Sequence, residues 1–205
     1  MHRDDVTDWL DGVGPAGLDR PEVGALLVAM PSLGDPGFER TVVLIVGDFD
    51  DGYQGVILSE PTRDDVRTAL PRWWRSALPP RKLHRGGPCD PELVLCLAVG
   101  RKGLDVPGLV EVKAYRHQSL YRVEGDVDPD VILPSVAGVR LFRGYAGWDP
   151  GQLEYEIALG AWLVVPSVAD DAVSAVSATL WRTVLSRQVG GAAFLRACPD
   201  NPARN

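Results

Sequence analysis

Val23-Gly24-Ala25-Leu26-Leu27-Val28-Ala29 and Thr41-Val42-Val43-Leu44-Ile45-Val46 are the two runs whose reading decides the fold. Each is continuous in apolar residues and of strand length, without the polar alternation of a half-solvated strand. Such runs belong to strands buried on both faces. The first stops at Met30-Pro31, because the residue before proline is pushed out of the helical region. Ser32 to Gly37 between the runs is rich in turn residues. Gly47 to Tyr53 reads as a polar turn, and Gly55-Val56-Ile57-Leu58 as the hairpin partner of the second run.

Working outward, further strands are expected at Leu83–Arg85, Leu93–Val99, Leu109–Ala114, Leu120–Val123, Val139–Phe142 and Ala161–Val165. Helices are expected at 62–78, interrupted by Pro71, and at 170–187, ended by Gly190-Gly191. A brief helical turn is expected at Asp128-Pro129-Asp130. Asp149–Leu159 is the clearest helix: Asp149 as N-cap, Pro150 at the first position, Gln152 reaching back to the cap, Leu153 and Ile157 as the buried face, and Gly160 at the end. Strands dominate the first two thirds and helices collect late, which predicts one α+β or mixed α/β domain rather than a βαβ array.

The 205 residues are 45% hydrophobic and 24% charged, enough for a core without a metal or disulfide. A net charge of −7 disfavours a generally basic nucleic-acid binder. Three cysteines, no apolar run of membrane length and an acidic N-terminus predict a cytoplasmic protein with no membrane association. Gly12-Val13-Gly14-Pro15-Ala16-Gly17 matches a dinucleotide motif in letters only, since no strand precedes it. Walker, nucleophile-elbow and zinc-protease motifs are absent, and His84, Cys89 and Cys96 do not have zinc-site spacing. The expectation is no cofactor and no metal.

Three segments remain as candidates. Gly86-Gly87-Pro88 precedes Cys89, whose thiol is either a reactive group or a passive neighbour of a tight turn; His84 is the one base near it in sequence. Residues 63–85 carry Arg63, Arg67, Arg72, Arg75, Arg81, Lys82 and Arg85 against Asp64 and Asp65, with Trp73 and Trp74 interleaved. They form either a weak nucleic-acid patch or a solvated face. Phe142 to Leu153 places Tyr145 and Trp148 on a glycine-flanked turn before a helix start, where amides and the helix dipole favour an anion. Glu154 and Glu156 read as solvated surface residues.

Three ordered blocks then resemble the AlgH/YqgE family: Gly24–Pro31 with Asp35–Leu44, Gly86-Gly87-Pro88, and Arg140–Glu156 followed by Trp162 and Trp181. The resemblance implies an AlgH/YqgE-like domain over 21–198, between an acidic extension (1–20) and a polar tail (199–205). It implies a bifurcated mixed sheet curled into a pseudo-barrel with surrounding helices. It implies no established reaction; the family name comes from an association with regulation of alginate synthesis. Ser59-Glu60-Pro61, Gly47-Asp48 and Leu95-Cys96-Leu97 stand where the family often has Asn-Arg-Pro, a His and a Leu-His pair, which speaks against a His-centred site. The expected function is a cytoplasmic regulatory or binding protein for a protein partner or small anionic ligand, received by Arg40, Gly86, Gly87, Arg143, Tyr145, Trp148 and Gln152. The alternatives are an enzyme using Cys89 and nucleic-acid binding through 63–85.

Overall fold

The computed structural model describes residues 20–125, 127–174 and 179–188. Expectations for the acidic extension, the 12–17 motif, Gly190-Gly191, Cys198 and the 199–205 tail lie outside these residues. The strands are β1 (Ala25–Ala29), β2 (Val42–Phe49), β3 (Gly52–Ile57), β4 (Pro61–Asp65), β5 (Lys82–Arg85), β6 (Cys89–Gly100), β7 (Leu109–Ala114), β8 (Ser119–Val123), β9 (Val136–Trp148) and β10 (Trp162–Pro166). The helices are short: α1 (Val66–Ala69), α2 (Pro129–Ile132), α3 (Gln152–Ala158) and α4 (Leu180–Ser186).

The strand order is β10-β1-β2-β3-β9-β6-β8-β7. Every pair along that path is antiparallel. The branch is at β9, which also pairs with β5 in parallel, and β5 in turn pairs with β4. The sheet is therefore mixed and bifurcated. Its two ends are not hydrogen-bonded as strands, yet they approach: the hydroxyls of Tyr115 and Ser167, just past β7 and β10, share a hydrogen bond of 2.8 Å.

The apolar runs explain the curl. In β1, Leu26 and Val28 enter an inner cluster with Leu44, Val56, Leu97, Val112, Phe142 and Val165, capped by Trp181 and Val184 of α4. The alternate residues Ala25, Leu27 and Ala29 join an outer cluster with Val43, Ile45, Trp148, Leu153 and Trp162. A third cluster lies under α1 and α2, where Cys96, Tyr121, Val139 and Leu141 meet Val66, Leu83 and Ile132. Period-two side chains with apolar partners on both sides produce unbroken apolar sequence.

Several expectations change. The helix over 62–78 is instead β4, α1 and a 3-10 turn at Pro71–Ser76. Pairing of Pro61 and Asp65 with β5 keeps the first part extended, Asp65 caps α1 by accepting from Arg67 N–H, and Pro71 ends it. The turn at 47–53 shrinks, because β2 continues to Phe49 and β3 starts at Gly52. Residues 169–173 form turns, with Val168 N–H donated to the Asp171 carboxylate, and α4 begins at Leu180. The largest change is in β9. Arg143 to Trp148 is strand rather than turn, because it finds partners in β3, β5 and β6.

Candidate functional site

The site begins with two glycines packed against a strand. Gly86 N–H donates to the Arg143 carbonyl and Gly86 O accepts from Ile57 N–H, both at 2.8 Å. A Cβ on Gly86 would run into the Gly144 carbonyl, and one on Gly87 into the Tyr145–Ala146 peptide. Only glycine allows this approach. The two glycines thus face backbone. What their approach achieves is to set Cys89 opposite Tyr145 across the β6–β9 pair.

Beyond that pair a hollow of about 270 Å³ opens. One wall is the β2–β3 turn, with Phe49, Asp51 and Tyr53; the other is β9 and its exit, with Tyr145, Trp148 and Asp149, and Cys89 beside them. Gly147 leaves room here: a Cβ on it would lie 3.1 Å from the Tyr145 ring and 3.7 Å from Cys89 Sγ.

Trp148 is 5% exposed and firmly held. Its Nε1–H donates to Glu156 Oε2 at 3.0 Å, and Trp162 Nε1–H donates to the same oxygen at 2.8 Å. Gln152 Nε2–H donates to Glu156 Oε1 at 2.8 Å, and Gln152 Oε1 accepts from Asp149 N–H at 3.0 Å. The two indoles meet edge to face at 5.9 Å, and Phe38 packs edge-on against Trp162. Glu156 is therefore a hub that sets the back wall, not a solvated residue. Its spacing from Trp148, Gln152 and Trp162 is visible in the sequence, but no sequence rule marks a carboxylate shared by two indoles.

The charge around the hollow is negative. Asp51 and Asp149 line it, and no Lys, Arg or His does so among the described residues. Burial, then Asp48 and Glu154, push the Tyr53 phenol up from its ordinary range. The start of α3 adds little for an anion. The helix has seven residues, carries Glu154 in its first turn, and is entered through Gly151 in a left-handed conformation rather than capped by Asp149. An anion at this place would meet carboxylates, contrary to the expectation from sequence.

The remaining candidates lie elsewhere. Arg143 points away, half-exposed, 3.8 Å from Asp64. Arg40 lies in a separate hollow with Trp181. His84 is fully buried in β5; its Nδ1 is 3.2 Å from the Lys82 carbonyl and its ring packs on Phe142. Burial, with the Arg140 cation second, lowers it to about 4. No hydrogen bond joins it to Cys89 among the described residues, so His84 is not placed as a base for that thiol. Cys96 is buried and its thiol is pushed up by that burial. No group of three His, Cys, Asp or Glu placed to hold a metal occurs among the described residues.

Five of the seven basic residues of the 63–85 segment are engaged internally. Arg72 pairs with Asp128 and Asp130, Lys82 with Asp65, and Arg85 with Glu60. Arg67 and Arg81 stack on Trp74. That pattern organises the surface of the third cluster rather than a phosphate track. No helix of the described residues is long and apolar enough to cross a membrane.

Fold and site together define a class: an α+β protein with a branched, curled sheet and an aromatic hollow at the end of its longest strand. A family model described as AlgH-like matches residues 26–193, and the chain belongs to that family. A UPF0301 protein of Streptomyces coelicolor is 41% identical over 89% of this chain and 94% of its own length. One from Mycobacterium ulcerans is 39% identical over 95% and 96%. Among solved structures, protein DIP2367 of Corynebacterium diphtheriae has a TM-score of 0.79 at 32% identity, covering 88% of this chain and 93% of that one. The solution structure of AlgH from Pseudomonas aeruginosa has a TM-score of 0.60 at 22% identity, over 92% and 97%, and shares the fold.

Proposed function

We propose that this AlgH-like protein acts in the cytoplasm by binding rather than by turnover, and that the hollow at the end of β9 receives an organic cation, an ammonium or guanidinium group. One observation carries this reading: Tyr53, Tyr145 and Trp148 wall a hollow whose charged lining residues are the carboxylates Asp51 and Asp149. Aromatic faces attract cations by about 0.5–2 kcal/mol each, more when water is excluded. A cavity of about 270 Å³ suits a small head group rather than a nucleotide cofactor. The Glu156 hub supports the reading by fixing the Trp148 ring before any ligand arrives, which lowers the ordering cost of binding.

The test is a titration of the full chain with tetramethylammonium, guanidinium and phosphate, followed at the Trp148 indole N–H resonance. Saturable shifts with the two cations, weakened by salt and lost in Tyr145→Ala, support the assignment. A response to phosphate alone, or cation binding that survives Tyr145→Ala, defeats it.

A further inference from the structure

The turn between β2 and β3 is pressed against the exit of β9. Gly52 has φ +118°, and a Cβ there would run into the Trp148 carbonyl and the Asp149 backbone, so only glycine lets the turn sit this close. The approach brings Asp51 and Asp149, from opposite walls, to one rim of the aromatic hollow. Both are exposed, and neither carboxylate joins an ion pair or a hydrogen bond among the described residues. Asp50, next to Asp51, is exposed and equally unmatched. Asp48 and Glu154 act on the Tyr53 phenol and so add to the negative field of the same wall. The cation that reaches this turn, Arg122, is already engaged. It lies over the Phe49 ring at 5.4 Å and pairs with Glu124 at 3.3 Å.

We infer that the occupant of this hollow is an arginine side chain carried on an exposed basic segment of a partner protein. The inference rests on the cation reading above and narrows it. Two carboxylates on one rim beside an aromatic wall suit a guanidinium better than an ammonium. A flat guanidinium stacks its face on a ring such as Tyr145 while its edge N–H groups donate to both carboxylates. A tetraalkylammonium has no N–H to donate, and a lysine ammonium is a compact, strongly hydrated charge without a flat face. The outer acids decide between a free and a chain-borne guanidinium. Asp48, Asp50 and Glu154 are not among the residues lining the hollow, so an ion inside gains little from them, whereas further basic residues on the same segment would meet them. Gly147, exposed and without a side chain, leaves room for that segment, and Phe49, 42% exposed, offers it an apolar contact.

The experiment titrates the full chain with capped peptides while the Trp148 indole N–H resonance is followed. The peptides are Lys-Gly-Arg-Gly-Lys, the equally charged Lys-Gly-Lys-Gly-Lys, and Gly-Gly-Arg-Gly-Gly, with guanidinium and tetramethylammonium ions alongside. The first peptide should bind at least tenfold tighter than the all-lysine peptide and at least tenfold tighter than the glycine-flanked one. Asp51→Asn and Asp149→Asn should each weaken it several-fold at an unchanged melting temperature. Asp50→Asn should narrow its advantage over the glycine-flanked peptide and leave guanidinium binding as it was. Equal binding of the all-lysine peptide, or binding indifferent to Asp51→Asn and Asp149→Asn, overturns the inference. Small cations that shift Trp148 while no peptide binds tighter than they do overturn it and leave the cation reading standing. No response to the small cations or to any peptide overturns both.

Discussion

The two halves of β9 handle charge in opposite ways. In the first half, Arg140 is 3% exposed and donates to three carbonyls, those of Pro79, Val173 and Ser174. Burial lowers its guanidinium to about 10, so it remains charged at neutral pH. Among the described residues, its Nε and the Nε2 of nearby His84 have no hydrogen-bond partner. In the second half, Trp148 and its neighbours are satisfied by Glu156, and the strand ends beside an acidic hollow. One strand thus carries a sealed positive interior that ties chain segments together and an open negative mouth. Desolvation makes the first half costly to alter, and solvent makes the second adaptable. Stability should therefore depend on Arg140, and recognition on Tyr145.

The largest effect that would sharpen this contrast is Arg140→Met. It removes a buried cation that ties three part-exposed carbonyls together, and unfolding in urea should show a loss of about 3–4 kcal/mol. A loss below ~1 kcal/mol would mean that Arg140 does not tie those segments.

His84 comes next. Its folded value, about 4, lies below the unfolded 6.5, so the unfolded chain binds the extra proton between those two pH values. Stability is complete above pH 6.5 and is lost as pH falls toward 4, by about 3 kcal/mol from this group. His84→Phe should flatten that part of the pH profile, and an unchanged slope would place the acid sensitivity elsewhere.

At the seam between the halves, Gly87→Ala should cost about 2–3 kcal/mol through its clash with the Tyr145–Ala146 peptide. Gly34→Ala would meet, among the described residues, only Ser32 O at 3.9 Å, and has a left-handed φ of +68°, so it should cost about 1 kcal/mol. Melting temperatures of the two variants in parallel would show whether close approach, rather than backbone angle alone, makes Gly87 necessary. The smallest effect on folding belongs to Tyr145→Ala, half-buried at the mouth: within about 1 kcal/mol in stability, with loss of the cation response.

The fold was more legible than the site. Sequence placed β7 at its observed bounds, and β1 and β2 near theirs, the last two because both of their faces are buried and nothing polar interrupts their apolar runs. Asp128 does cap a short helix, Gly160 does end α3 with φ +72°, and Gln152 does reach back to Asp149 N–H. The site was half legible. Tyr145, Trp148 and Cys89 meet in one hollow, whereas Arg40 and Arg143 point elsewhere, and Asp51, Tyr53 and Glu156 carried no signal in the sequence. Glycines at 144 and 147 suggested a turn, because local propensity cannot register partners that arrive from β3 and β6.

By itself the sequence determined the strand-rich α+β class, the doubly buried central strands and the ends of several elements, because apolar runs and Pro or Gly punctuation act locally. Only the tertiary structure decided that β9 continues through Trp148, that the glycine pair meets its backbone, and that the hollow is negative. Those facts depend on residues far apart in the chain, whose distances and charges become defined only when the strands pair.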